Sequence, residues 1–354
     1  MRKIIFPFIA SALSCSVLSA FWPEATNSNL EIGVGYTQGQ FEYVTHVDPN
    51  NYVKANNGAR VPESYDLITT RKSCWTDLNI QTIGARTNCA TCDDFYFRAN
   101  GNYGWITSGK HRTDVFQRKP QNPNEEREEE RRVGTIAAHT RGHIYDVSIA
   151  AGYQFQYCQD VAAFSPIFGY SWRGQRLRNS HFEFSNSSFS ESLEVGGSSS
   201  SSRSFDLASL HIDSNIVEID NSYDTRWNGP FVGFDALYNL DCDWTLTAGY
   251  EYHWGKFHAR TEEFVGGAKL ALNQHGKSYY GHVVNLGMVW NFTDYWTLGL
   301  QYEFDFFHVH HGRQTFRAVK GSQGDIEVVG LVSVPLKRVE WCTNSIRLTL
   351  GLVY

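Results

Sequence analysis

Three groups of side chains in this sequence are of types that do chemistry. His308 and His310 stand two residues apart in Phe307-His308-Val309-His310-His311. On a strand they share a face, from which two imidazoles could chelate a metal. A polar cap on a strand end accounts for the same residues, since no cysteine or acid stands at ligand spacing beside them in the sequence. Cys74, Cys89, Cys92, Cys158, Cys242 and Cys342 form the second group. In an exported chain they imply disulfides, within the chain or between chains. The third group is Asp235, Glu251, His253, Glu303, Asp305 and Arg347, each on the polar side of an alternating run. Facing an interior, such charges need partners, so they read as a paired network. A proton or substrate path is the other reading.

The elements that position these groups are set by one repeated unit, seen best in residues 280–311. Tyr280, His282, Val284, Leu286, Met288, Trp290 and Phe292 share one face, with small or polar residues opposite. After Thr293-Asp294 the alternation restarts with Trp296, Leu298, Leu300, Tyr302, Phe304 and Phe306. Period-two alternation marks strands. Aromatics at both ends of the apolar face mark strands that cross lipid, because Trp and Tyr suit the water–hydrocarbon boundary. The unit recurs ten times. The connections alternate short and long, with polar stretches at 37–73, 107–141, 174–226, 256–278 and 312–343. Pro166 is the one awkward residue within a predicted strand.

Composition agrees. The chain has 354 residues, 42% hydrophobic and 15% aromatic, with a net charge of −6. Its mean hydropathy of −0.38 suits a barrel in which only alternate residues meet lipid. The negative charge and the lack of a basic patch argue against a nucleic-acid partner. Arg2 and Lys3, the apolar run Ile4 to Val17 and Leu18-Ser19-Ala20 form a signal peptide over 1–20. Residues 21–354 are then expected to be an all-β, ten-stranded antiparallel transmembrane β-barrel. Its short turns are periplasmic, its long loops are extracellular, and it sits in the outer membrane of a Gram-negative-type bacterium. Cys89, Cys92, Cys158 and Cys242 fall at the short-turn rim, and Cys74 and Cys342 at the opposite end.

The layout resembles the omptin family of outer-membrane proteases. Matching phrases occur in order: Gly104-Trp105, Gly152-Tyr153-Gln154, Pro230-Phe231-Val232-Gly233, Tyr250 to Trp254, and Ser278-Tyr279-Tyr280. The resemblance implies a catalytic Asp–Asp pair after strand three and an Asp-x-His pair past strand seven, with lipopolysaccharide as a bound lipid. This chain departs from that pattern. The first loop offers only Asp114, and Thr261 and Glu263 stand where the second pair would be. His258 and Glu262 lie nearby, so a displaced site built on Asp114, His258 and Glu263 is the fallback. The cysteine usage resembles the cross-linked envelope of chlamydia-like bacteria. The expectation is therefore a non-enzymatic barrel with a structural or surface-interaction role, in envelope integrity or adhesion. Its expected partners are outer-membrane lipid, disulfide-linked envelope proteins, and host or surface ligands. An omptin-like endopeptidase with a displaced site, or a narrow channel, is the alternative.

Overall fold

The computed structural model describes residues 25–47, 68–118, 131–157, 161–185, 221–265, 268–322 and 325–353. The signal segment 1–20 and Cys158 lie outside them. The strands are β1 (Ala25–Val47), β2 (Ile68–Thr91), β3 (Phe95–Arg118), β4 (Arg131–Tyr153), β5 (Phe155–Tyr157), β6 (Ala162–Ser185), β7 (Asn221–Asn239), β8 (Trp244–Val265), β9 (Ala268–Asn291), β10 (Trp296–Val309), β11 (Gly312–Ser322) and β12 (Asp325–Val353). Two columns of the wall consist of two pieces each. β5 continues β4 after Gln154, and both pair with β6. β11 continues β10 in the same register against β9 and β12, with His310 and His311 out of the ladder. The segments thus form ten antiparallel columns. β1 pairs with β12 from Asn29↔Val353 to Thr45↔Leu336, so the sheet closes into the barrel expected from the sequence.

The register sets the bore. Partners followed once round the wall lead from Trp244 through Trp290, Leu298, Leu350, Ile32 and Ala85. They continue through Gly101, Val147, Trp172 and Asn228, and return to β8 at Lys256, twelve residues past the start. With a rise of about 3.3 Å per residue and a strand spacing of about 4.8 Å, this stagger tilts ten strands by roughly 40°. The backbone cylinder is then roughly 20 Å across, narrow enough for side chains to fill.

Ile32, Val34 and Tyr36 on β1, Leu286 and Met288 on β9, and Ile346, Leu348 and Leu350 on β12 all stand exposed on the outer face. Water would not leave so large an apolar surface bare, whereas lipid covers it. Trp290, Trp296 and Phe292 rim this band below, and Tyr36, Trp105, Trp172 and Trp254 rim it above.

The wall does not stop at the upper rim. The stretches read as long loops are strand throughout their described parts, and the reason is an inversion of polarity. Above the band the inward residues become apolar, including Phe41, Tyr43, Trp75, Tyr223, Trp227, Phe257, Leu336 and Trp341, all buried. The outward ones become polar, including Glu42, Lys72, Arg112, Arg338 and Glu340. Irregularities between Thr76 and Asn79 on β2 and between Ile106 and Lys110 on β3 re-phase those strands at the boundary. Pro166 causes no conflict. It falls where β6 passes from pairing with β4 at Ile167 to pairing with β5 at Phe164, so no N–H is required of it there.

Candidate functional site

The lumen holds two stacked layers. The upper layer is a plug of rings. Phe41 meets Trp75 at 5.4 Å between ring centres, Trp75 stacks on Tyr223 at 5.1 Å, and Trp227 packs on Phe257 at 4.5 Å and Phe307 at 5.7 Å. Each such pair adds about 0.5–1.5 kcal/mol beyond its area. Gly281 makes room for Phe307, since a Cβ there would clash with its ring. Asn179 satisfies the polar edge of the plug by accepting from Trp75 Nε1 at 3.0 Å and from Thr140 Oγ1 at 2.8 Å.

The layer below is charged. Arg98 donates to both oxygens of Asp235, at 2.8 and 3.0 Å, and also to Glu251. Tyr96 Oη–H donates to Asp235 at 3.0 Å. Arg173 reaches Asp146 at 3.1 Å and Asp305 at 3.0 Å, and its guanidinium lies 4.7 Å over the Phe307 ring, joining the two layers. Thr343 donates to Asp305 at 2.9 Å. Between the layers a cavity of about 40 Å³ is lined by Asp146, Arg173, Glu303, Asp305 and Arg347 among others, space for a water or two. Of the inward groups read from the sequence, Asp235, Glu251, His253 and Asp305 are therefore paired, while Glu303 and Arg347 line the cavity. Arg98, Asp146 and Arg173, on alternating inward positions of β3, β4 and β6, were the partners not picked out.

Within this layer lies a serine–imidazole–carboxylate series. His253 Nε2–H donates to Glu251 Oε2 at 2.7 Å, which leaves Nδ1 to accept from Ser171 Oγ–H at 3.1 Å. Nucleophilic catalysis needs the hydroxyl open to a carbonyl and to oxyanion donors. Here Ser171 and His253 are each 0% exposed, Phe231 stacks on His253 at 4.7 Å, and Arg98 holds Glu251 from the other side. The series ties β6 to β8 and presents nothing to a substrate.

The fallback protease residues do not converge. On β3 His111 and Thr113 point inward and are buried, so Asp114 faces outward. It accepts from Thr135 at 2.6 Å and from Arg112 at 2.9 Å. Partial burial opposes its charge, but these hydrogen bonds outweigh burial and hold the carboxyl below the usual range. His258 faces outward on β8 between buried Phe257 and Ala259, with its Nδ1 3.0 Å from that of His275. Burial first, then His275, lowers its pKa. Both groups face outward, on strands separated in the wall by β4, β6 and β7, so one water cannot touch both. Thr261 is buried beside Tyr223, and Glu263 pairs in register with Leu270, its side chain outside the described residues.

Two expectations need amendment. An acid does stand beside the histidines: His308 Nδ1 lies 3.1 Å from Glu340 Oε1, across from it on β12. Sequence spacing could not show this pairing of residues 32 apart. Second, none of the described cysteines is in a disulfide. Cys74 pairs with Glu42 and Cys342 with Gln40, on opposite edges of β1. That puts their Cα atoms roughly 10 Å apart in strand spacing alone, beyond the reach of a bridge. Cys74 instead donates to Glu42 at 3.1 Å, and burial together with that carboxylate pushes its thiol up to about 12. Cys92 and Cys242 are exposed at the short-turn rim, and Cys89 is half-buried there.

The fold is similar to that of outer membrane protease OmpT from Escherichia coli, with a TM-score of 0.60 at 14% identity over 93% of this chain and 97% of that one. A FadL homologue from Pseudomonas aeruginosa matches with a TM-score of 0.27 at 9% identity, over 92% and 90% of the two chains. The translocator domain of autotransporter NalP from Neisseria meningitidis matches with 0.30 at 9% identity, over 99% of each. These last two likenesses are too weak to carry an argument. No curated protein sequence matches. Residues 31–354 match a family model described as Protochlamydia outer membrane protein, and the chain belongs to this family, Pom, of outer-membrane barrels.

Proposed function

We propose that this barrel is a closed scaffold of the outer membrane, with a structural or surface-interaction role and without peptidase or pore activity. The observation that carries this reading is the filling of the lumen by the ring plug and by the charge layer beneath it. A protease of this architecture needs a wet cleft between its catalytic pairs. A channel needs a continuous bore, and ten strands leave little once side chains turn inward. The outer face supports contact with lipid, lipopolysaccharide included. The exposed thiols of Cys92 and Cys242 support attachment to periplasm-facing envelope proteins by disulfides, since exposed thiols exchange more readily than buried ones.

Two assays on the refolded full chain test the reading. In planar bilayers it should show no steps of conductance. With lipopolysaccharide and basic peptides it should show no turnover above that of a Ser171→Ala control. Steady cleavage that Ser171→Ala or Asp114→Ala abolishes, or stable single-channel currents, would overturn it. For the thiols, oligomers on non-reducing gels of native envelopes should disappear in Cys92→Ser with Cys242→Ser.

A further inference from the structure

The register of β10 and β11 is continuous, yet His310 and His311 step out of the ladder at the outer wall just above the lipid band. His308, on the outward face one turn of pleat below, is nonetheless only 6% exposed. Its ring stacks on Tyr280 at 5.2 Å and meets the His310 ring nearly edge-on at 4.3 Å. Glu340 can only accept, so Nδ1 of His308 carries the proton and Nε2 holds a lone pair. That Nε2 is buried and has no hydrogen-bond partner among the described residues. Arg338 Nε lies 3.6 Å from Glu340 Oε1.

These features match a metal-ligating histidine before its ion arrives. Such a histidine gives its second ring N–H to a carboxylate, which fixes the tautomer and raises the basicity of the ligating nitrogen. Two imidazoles on one tetrahedral ion, at metal–nitrogen distances of about 2.0–2.1 Å, hold their ring centres roughly 5 Å apart. The present separation of 4.3 Å lies close to that, and His310 is exposed and outside the ladder, where its ring can turn. We propose that His308 Nε2 and His310 form a two-imidazole site for a divalent transition ion such as Zn²⁺, with Glu340 as the positioning carboxylate. Among the described residues no three His, Cys, Asp or Glu side chains gather as a metal cluster. The remaining positions on the ion are therefore open to water or an anionic group. His258 and His275 make a weaker case, because their Nδ1 atoms already satisfy each other at 3.0 Å.

The test is Zn²⁺ titration by calorimetry of the refolded full chain at pH 7.5, with its thiols alkylated so that they do not compete. One site is expected in the parent. His308→Ala and His310→Ala should each weaken it at least about tenfold, and Glu340→Gln about ten- to a hundredfold. The double variant His258→Ala with His275→Ala should leave it in place. His310→Ala, outside the ladder, keeps the test decisive if His308→Ala fails to assemble. No Zn²⁺ uptake by the parent at millimolar concentration would overturn the proposal. So would equal affinity in the parent and in His310→Ala, or loss of the site only in the His258/His275 variant.

Discussion

Arg98→Met is the sharpest probe of the charge layer. The Arg98 side chain is 4% exposed, and its guanidinium serves two carboxylates at once. Deleting it leaves Asp235 with Tyr96 at 3.0 Å and Arg86 at 3.5 Å, and Glu251 with His253 at 2.7 Å. Breaking a buried ion pair from one side costs about 3–5 kcal/mol, because an uncompensated charge stays behind. The surviving partners place the expected loss toward the lower end of that range. Arg98→Lys keeps the charge but loses the planar fork, so it should fall between parent and Arg98→Met. Neutralising all three groups together, as Arg98→Met with Asp235→Asn and Glu251→Gln, should recover much of the loss. The assay is equilibrium urea unfolding in micelles, followed by tryptophan fluorescence and by the shift of the folded band on unheated gels. If Arg98→Met changes stability by less than about 1 kcal/mol, the layer is hydrated rather than paired, and the reasoning fails.

Three further outcomes are expected. Trp227→Ala removes a fully buried ring from the plug and should cost about 3–5 kcal/mol; bilayer recordings should still show no conductance, because the charge layer remains below it. The Cys74 thiol, held protonated by burial and Glu42, should react with maleimide or disulfide reagents at pH 8 more slowly than Cys92 and Cys242, and Glu42→Gln should speed it; equal rates at all three would refute the assignment. Leu350→Arg puts a charge against lipid and should cost about 2–4 kcal/mol if it lies near the midplane, read as a lower yield of folded barrel in the outer membrane.

How much of this was legible beforehand follows from where the alternation meets lipid. Within the band the outward faces of β9, β10 and β12 are apolar apart from His282 at its upper edge, so strand number, direction and facing could be read from spacing alone. Above the band the same strands exchange polarity. A polar outer face with scattered inward rings resembles a loop in sequence, which is why the upper wall was hidden. The charge layer was half legible. Its acids stood on the inward positions, but which arginine answers which acid depends on columns as distant as β3 and β8. The outward placement of Asp114 follows from the irregularity between Ile106 and Lys110, and no composition marks that bulge. Glu340 beside His308 is likewise a matter of cross-strand register.

The closure of β1 on β12 has a kinetic side. Asn29 pairs with Val353 and Tyr36 with Ile346, contacts between opposite ends of the chain. Joining segments that far apart costs loop entropy before any of their pairing is gained, and folds dominated by such contacts form slowly. Until β12 arrives, β1 and β10 both present an open edge, a template for pairing with other chains. The unfinished barrel is thus the aggregation-prone species, and it persists until β12 has been made and delivered. A holding chaperone in the periplasm and a membrane catalyst that templates the open edges would act on this interval, and slowing the delivery of the C-terminal strand alone should lower the yield of folded barrel as strongly as destabilising its core.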